Sequence, residues 1–114
     1  MTDAAIDRVT FENLKTTAGA DFVNDLVDTF LTEAPGMLDE LRGAFAANDA
    51  ARFKRAAHSL KSNSNTFGAL TLGAMAKNLE LGGLASARES GDPLEALARE
   101  YARVAAALKE LKRA

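Results

Sequence analysis

The chain carries a single imidazole, His58, and no thiol at all. Without cysteine, disulfides, thiolate nucleophiles and cysteine-held zinc or iron–sulfur clusters are excluded. Lys61 follows His58 at +3 and Ser62 at +4, so on a helix both lie beside the ring along the surface. A neutral imidazole keeps one unprotonated nitrogen that serves as nucleophile or base near neutral pH. An ammonium beside it opposes a proton or a metal cation and favours an incoming anion. The pair therefore suits a phosphoryl group better than zinc. Other chemistries lack their parts. A carboxylate-bridged metal bundle needs Glu-x-x-His pairs on facing helices, whereas Arg55 stands three residues before His58 and no second histidine exists. No Gly-x-x-x-x-Gly-Lys loop is present, so the chain is expected neither to bind ATP nor to phosphorylate itself.

The elements that must hold this histidine are legible from composition and spacing. The 114 residues make one domain's worth of chain, 47% hydrophobic and 26% charged, as in an ordinary globular domain. Fourteen basic against sixteen acidic residues give a net charge of −2, which exerts no general pull on nucleic acid or anionic lipid. No apolar run is long enough to span a bilayer, and the first residues do not read as a signal peptide. The expectation is a single, cytoplasmic domain.

Alanine and leucine dominate, glycine and proline number eight and two, and no strand-like alternation appears. A short first helix is expected after a Thr10 cap, with Phe11, Leu14 and Ala18 on one face and Gly19 as its stop. A second should open at an Asp21 cap, with Phe22, Val23, Leu26, Val27, Phe30, Leu31 and Ala34 on its apolar side. Pro35 predicts a kink or a break there; the kink is preferred because Leu38, Leu41 and Phe45 continue the phase. Asn48-Asp49 reads as turn and cap, and a third helix follows over about 50–66, ended by Gly68. The fourth, over about 70–86, has Leu72, Met75, Ala76 and Leu79 as one stripe, with Leu70, Ala74, Leu81 and Leu84 on other faces. Gly91-Asp92-Pro93 supplies stop, cap and first position for the last helix, whose seam is Leu94, Leu97, Tyr101, Val104, Leu108 and Leu111. The predicted fold is all-α: an antiparallel four-helix bundle with a short extra N-terminal helix.

On the third helix, with Phe53 as zero, Ala57, Leu60 and Ser64 fall within roughly 40°. Lys61 lies near 80°, Asn65 near 120°, His58 near 140° and Ser62 near 180° by the same wheel. His58 is therefore predicted to point outward.

The stretch from Ala57 to Ala69, Ala-His-Ser-Leu-Lys-Ser-Asn-Ser-Asn-Thr-Phe-Gly-Ala, resembles the signature of histidine-containing phosphotransfer (HPt) domains. In that family the pattern reads Ala-His-x-Leu-Lys-Gly, a small-residue stretch, then an apolar residue before Gly-Ala. Helix order agrees, Leu79-Glu80 matches a Leu-Glu pair in the next helix, and the resemblance covers roughly residues 20–112. It implies that His58 is phosphorylated on its outer ring nitrogen and that Lys61 neutralises the phosphoryl oxygens. It further implies that Glu80 accepts a hydrogen bond from the other ring nitrogen, with Lys77 on the same flank of the fourth helix. Ser62 replaces the family glycine; its hydroxyl is expected to be tolerated and to donate to the phosphoryl group.

The resemblance implies a phosphorelay intermediate, not an enzyme in its own right. His58 would take a phosphoryl group from a phospho-aspartate on a response-regulator receiver domain and pass it to another receiver. A hybrid sensor histidine kinase would be the source. No cofactor is expected on this chain, magnesium being held by the receiver. The partners expected are proteins, with no nucleic acid and no membrane, and the domain is expected to be a monomer. The alternative is a non-catalytic helical adaptor that binds through the exposed apolar surface of its third and fourth helices.

Overall fold

The computed structural model describes residues 5–91 and 93–113, the last without its side chain, as five helices. These are α1 (Arg8–Ala18), α2 (Ala20–Ala47), α3 (Ala50–Thr66), α4 (Leu70–Glu89) and α5 (Pro93–Arg113). Among the described residues there is no strand.

The cap of α1 is Asp7, not Thr10. The Asp7 carboxylate accepts from the Thr10 backbone N–H at 3.1 Å, which places Thr10 in the first turn. The Asp7 N–H donates to the Gly68 carbonyl at 2.7 Å, tying α1 to the end of α3. The cap of α2 is likewise Gly19, and Asp21 sits inside the first turn, where a carboxylate favours the helix N-terminus.

No break occurs at Pro35: α2 is one helix of 28 residues. A proline in a helix interior costs about 3 kcal/mol. Against this, Val23, Val27, Phe30, Ala34, Leu38, Leu41 and Ala44 form one buried line on both sides of it. Each large side chain in such a line contributes roughly 1.5–3 kcal/mol, so packing outweighs the lost hydrogen bond. Phe22 does not join that line and is 55% exposed. It lies about 100° from Val23 around the helix, which puts it outside the stripe.

The turn into α3 is as the sequence predicts. Asn48 adopts the left-handed conformation (φ 58°), and the Asp49 carboxylate accepts from the Arg52 N–H at 3.2 Å. Phe53, Ala57, Leu60 and Ser64 face the core, Phe67 is buried beyond them, and Gly68 turns the chain at φ 83°. In α4, Leu72, Ala76 and Leu79 are buried and Met75 half-buried, while Leu70 and Leu81 are exposed. This helix is interrupted at Gly83 (φ 78°, ψ −178°), and it ends at Glu89, later than expected. The interruption re-aims the following turn, so Leu84, off the stripe on a continuous helix, is buried. Arg88 then lies 4.4 Å from the Phe45 ring centroid and donates to the Phe45 carbonyl and, at 3.3 Å, to the Asn48 side chain. A cation thus closes the C-terminus of α2.

Pro93 opens α5; the cap expected of Asp92 lies outside the described residues. Leu94, Leu97, Val104 and Leu108 are buried along its seam, with Tyr101 and Leu111 half-buried. α3 packs on α4 and α2, and α5 closes the ring against the same two helices. α1 lies across α2 and α3. Phe30 sits at the centre of the bundle, its ring centroid 5.4 Å from Phe67 and 6.0 Å from Tyr101. Among the described residues, no helix is long and apolar enough to cross a membrane.

Candidate functional site

The site is a consequence of how closely α3 and α4 run. A side chain at Gly73 would collide with Asn65: a Cβ there would sit 2.0 Å from the Asn65 Oδ1. The Asn65 amide therefore rests directly on the α4 backbone, and Asn65 belongs to the helix contact rather than to the ring's surroundings. In the same antiparallel register, two turns further along, Glu80 comes opposite His58.

Glu80 joins the two residues singled out on α3. Its Oε2 lies 2.9 Å from the His58 Nδ1, and its Oε1 lies 2.8 Å from the Lys61 Nζ. The contact with Lys61 is an ion pair rather than a well-angled hydrogen bond. The carboxylate is the least exposed of the three (15%), the ammonium follows (25%), and the imidazole stands out at 58%. Lys61 holds the Glu80 carboxyl below the ordinary carboxylate range; partial burial opposes this, and the bond to His58 lowers it further.

The ionised Glu80 can only accept, so Nδ1 must donate. The bond thereby assigns the proton to Nδ1 and leaves the Nε2 lone pair free. An exposed imidazole in this tautomer is a nucleophile ready for an electrophile arriving from solvent.

Of the other residues predicted for the site, Ser62 is exposed, and its carbonyl accepts from the Thr66 hydroxyl at 3.0 Å. Asn63 spends its side-chain N–H on the Ser59 carbonyl at 2.8 Å. Lys77 is exposed and forms no ion pair among the described residues, so it does not join His58, Lys61 and Glu80. Sequence reasoning passed over the ring's other neighbours. His58 opens into a depression lined by Ala51, Lys54, Arg55, Ser59 and Glu80. The signal was available, since Lys54 and Arg55 precede His58 by one helical turn. Both are exposed and lack ion pairs among the described residues, while Arg52 is clasped by Glu40 at 2.7 and 3.0 Å. No group of three or more potential metal ligands occurs among the described residues.

The sequence matches the Hpt domain family over residues 25–114, and the chain belongs to that family. Its functional class is histidine phosphotransfer in phosphorelay signalling, with receiver domains of two-component systems as the kind of partner. Among solved structures it is similar to histidine-containing phosphotransfer protein B (HptB) from Pseudomonas aeruginosa PAO1, with 27% sequence identity and a TM-score of 0.86. The match covers 98% of this chain and 97% of that one. No curated protein matches.

Proposed function

We propose that His58 is the residue that carries the phosphoryl group, accepting it from the phospho-aspartate of one receiver domain and delivering it to another. The observation that carries this reading is the Glu80 bridge, which fixes the tautomer with Nε2 outward on an exposed ring. The Nε2 lone pair attacks phosphorus in line, the P–O bond to the aspartyl carboxyl breaks, and the carboxylate leaves with the electron pair. Lys61 then turns from Glu80 towards the phosphoryl oxygens, which carry more charge. The Ser62 hydroxyl, in place of the family glycine, adds a donor one turn away.

The chain acts as a shuttle between receivers, with a hybrid sensor histidine kinase upstream. It needs no cofactor of its own, the receiver holding the magnesium that in-line transfer uses. It works as a cytoplasmic monomer. Transfer from a radiolabelled phospho-receiver tests this. The wild type should take label that is lost in acid and kept in base, and His58→Gln should fold but take none. Label that persists in H58Q would put the phosphoryl group on another residue and refute the assignment, while a wild type that takes no label would leave only a helical adaptor.

A further inference from the structure

We infer that Glu80 is a positioning residue whose main work follows phosphorylation: it keeps the Nδ1 proton on the phosphorylated ring, so that His58 can give the group away as a neutral imidazole. The inference rests on the reading of His58 as phosphoryl carrier and deepens it.

The argument is a count of protons and electrons. Before transfer, His58 is neutral, with hydrogen on Nδ1 and a lone pair on Nε2, because Nδ1 faces the Glu80 Oε2 at 2.9 Å. Attack through Nε2 forms the N–P bond and breaks the P–O bond of the donor. No proton has to leave, since Nε2 carried none. The ring is now cationic, with hydrogen on Nδ1 and phosphorus on Nε2. In the onward step an aspartate oxygen attacks phosphorus, and the N–P bond breaks with its electron pair returning to Nε2. If Nδ1 still holds its proton, the leaving group is neutral imidazole. If solvent has removed it, the leaving group is an imidazolate, which departs far less readily. The phosphoryl group thus passes in and out with no proton crossing, provided Nδ1–H is retained throughout.

The surroundings divide sharply on that point. From α3, Lys54, Arg55 and Lys61 all disfavour a cationic ring, while from α4 the group that meets it is Glu80, the exposed Lys77 lying outside the depression. On the α2 side Glu40 is engaged by Arg52. α1 meets α3 at its far end, where Asp7 reaches Gly68. Glu80 is the only carboxylate bonded to the ring among the described residues. The Lys61 ammonium is its second partner, and in the phosphorylated protein the phosphoryl oxygens compete for that cation. As Lys61 moves to the phosphoryl group, the full charge of Glu80 is left to Nδ1–H.

Glu80→Gln keeps an acceptor and removes the charge. A hydrogen bond to a charged group exceeds a neutral one by enough that the change is worth roughly three- to tenfold at this half-open site. Wild type and E80Q are labelled by a receiver domain charged with acetyl phosphate, then mixed with unphosphorylated receiver from mildly acidic to mildly alkaline pH. Wild-type onward transfer should be nearly flat. In E80Q it should fall as pH rises, to between a third and a tenth of wild type, and its phosphorylated form should live longer. Equal rates and the same pH profile in both proteins overturn the inference while leaving the relay intact. A wild type that takes no acid-labile label overturns the relay and the inference together. Nitrogen NMR of the phosphorylated wild-type ring is a check that needs no variant. Nδ1 should remain protonated at pH values where free phosphohistidine has lost that proton, and loss at the same pH contradicts the proposal.

Discussion

Gly73 is the hinge of the account, because the close approach it permits is what brings Glu80 to His58. An alanine there would put its Cβ 2.0 Å from the Asn65 Oδ1 and 2.8 Å from its Cγ, so Asn65 must swing away. Two terms of similar size oppose one another. Alanine is better than glycine in a helix interior by about 1 kcal/mol. Forcing a side chain off its rotamer costs roughly 0.5–1.5 kcal/mol. Gly73→Ala alone should therefore change stability little. Removing the obstacle as well, in G73A/N65A, should release the helix gain in full. The double variant is then expected to exceed the sum of the singles by about 1 kcal/mol, where independent sites agree within roughly 0.3–0.5 kcal/mol. Urea unfolding of the four proteins measures this, with attention to equal slopes. Additive stabilities would mean that Asn65 does not rest on Gly73 and that the helix spacing has another cause. Gly73→Leu, too large for any swing of Asn65, should separate the helices and weaken the Glu80 bond to His58.

Further outcomes follow from other parts of the molecule. Gly83→Ala should destabilise the protein by roughly 1–3 kcal/mol, seen as a lower melting temperature, because φ 78° with ψ −178° is essentially a glycine conformation. Glu80 should titrate below an ordinary glutamate. Because its folded-state pKa is depressed, its contacts contribute above the ordinary carboxylate range and are lost as pH falls through the lowered value. Carboxyl-carbon NMR checks this, and Lys61→Ala should move the midpoint back up. Lys54→Glu with Arg55→Glu should slow transfer from a phospho-receiver roughly tenfold at low salt and flatten its salt dependence, leaving the fold intact. An unchanged rate would remove these two side chains from the docking surface.

The parts of the molecule set by local chemistry could be read from the sequence. The bounds of α3, the Asn48-Asp49 turn, the Gly68 stop and the outward direction of His58 all follow from capping, a left-handed residue and the 3.6-residue period. Spacing alone does not choose a cap where two candidates stand close together. Asp7 takes the role expected of Thr10, where the chain is extended (φ −73°, ψ 111°), and Gly19 that expected of Asp21, where the turn from α1 requires a positive φ of 94°. Phe22 shows the limit of counting apolar residues, since packing selects only those on the stripe. Gly83 shows another: a glycine pair signals weakness in a helix but not which residue leaves it. At the site, the wheel gave directions but no reach. Family resemblance supplied the bond from Glu80 to His58. The engagement of Lys61 by the same carboxylate, and the lining by Lys54 and Arg55, required coordinates.

The most direct test of the central claim is to locate the phosphorus atom on the ring. The chain should be phosphorylated by a charged receiver with nitrogen-labelled histidine, and the coupling between phosphorus and nitrogen measured by NMR. One phosphoryl group on Nε2 of His58, with hydrogen still on Nδ1, is the predicted result. Phosphorus on Nδ1, on another residue, or nowhere would contradict it.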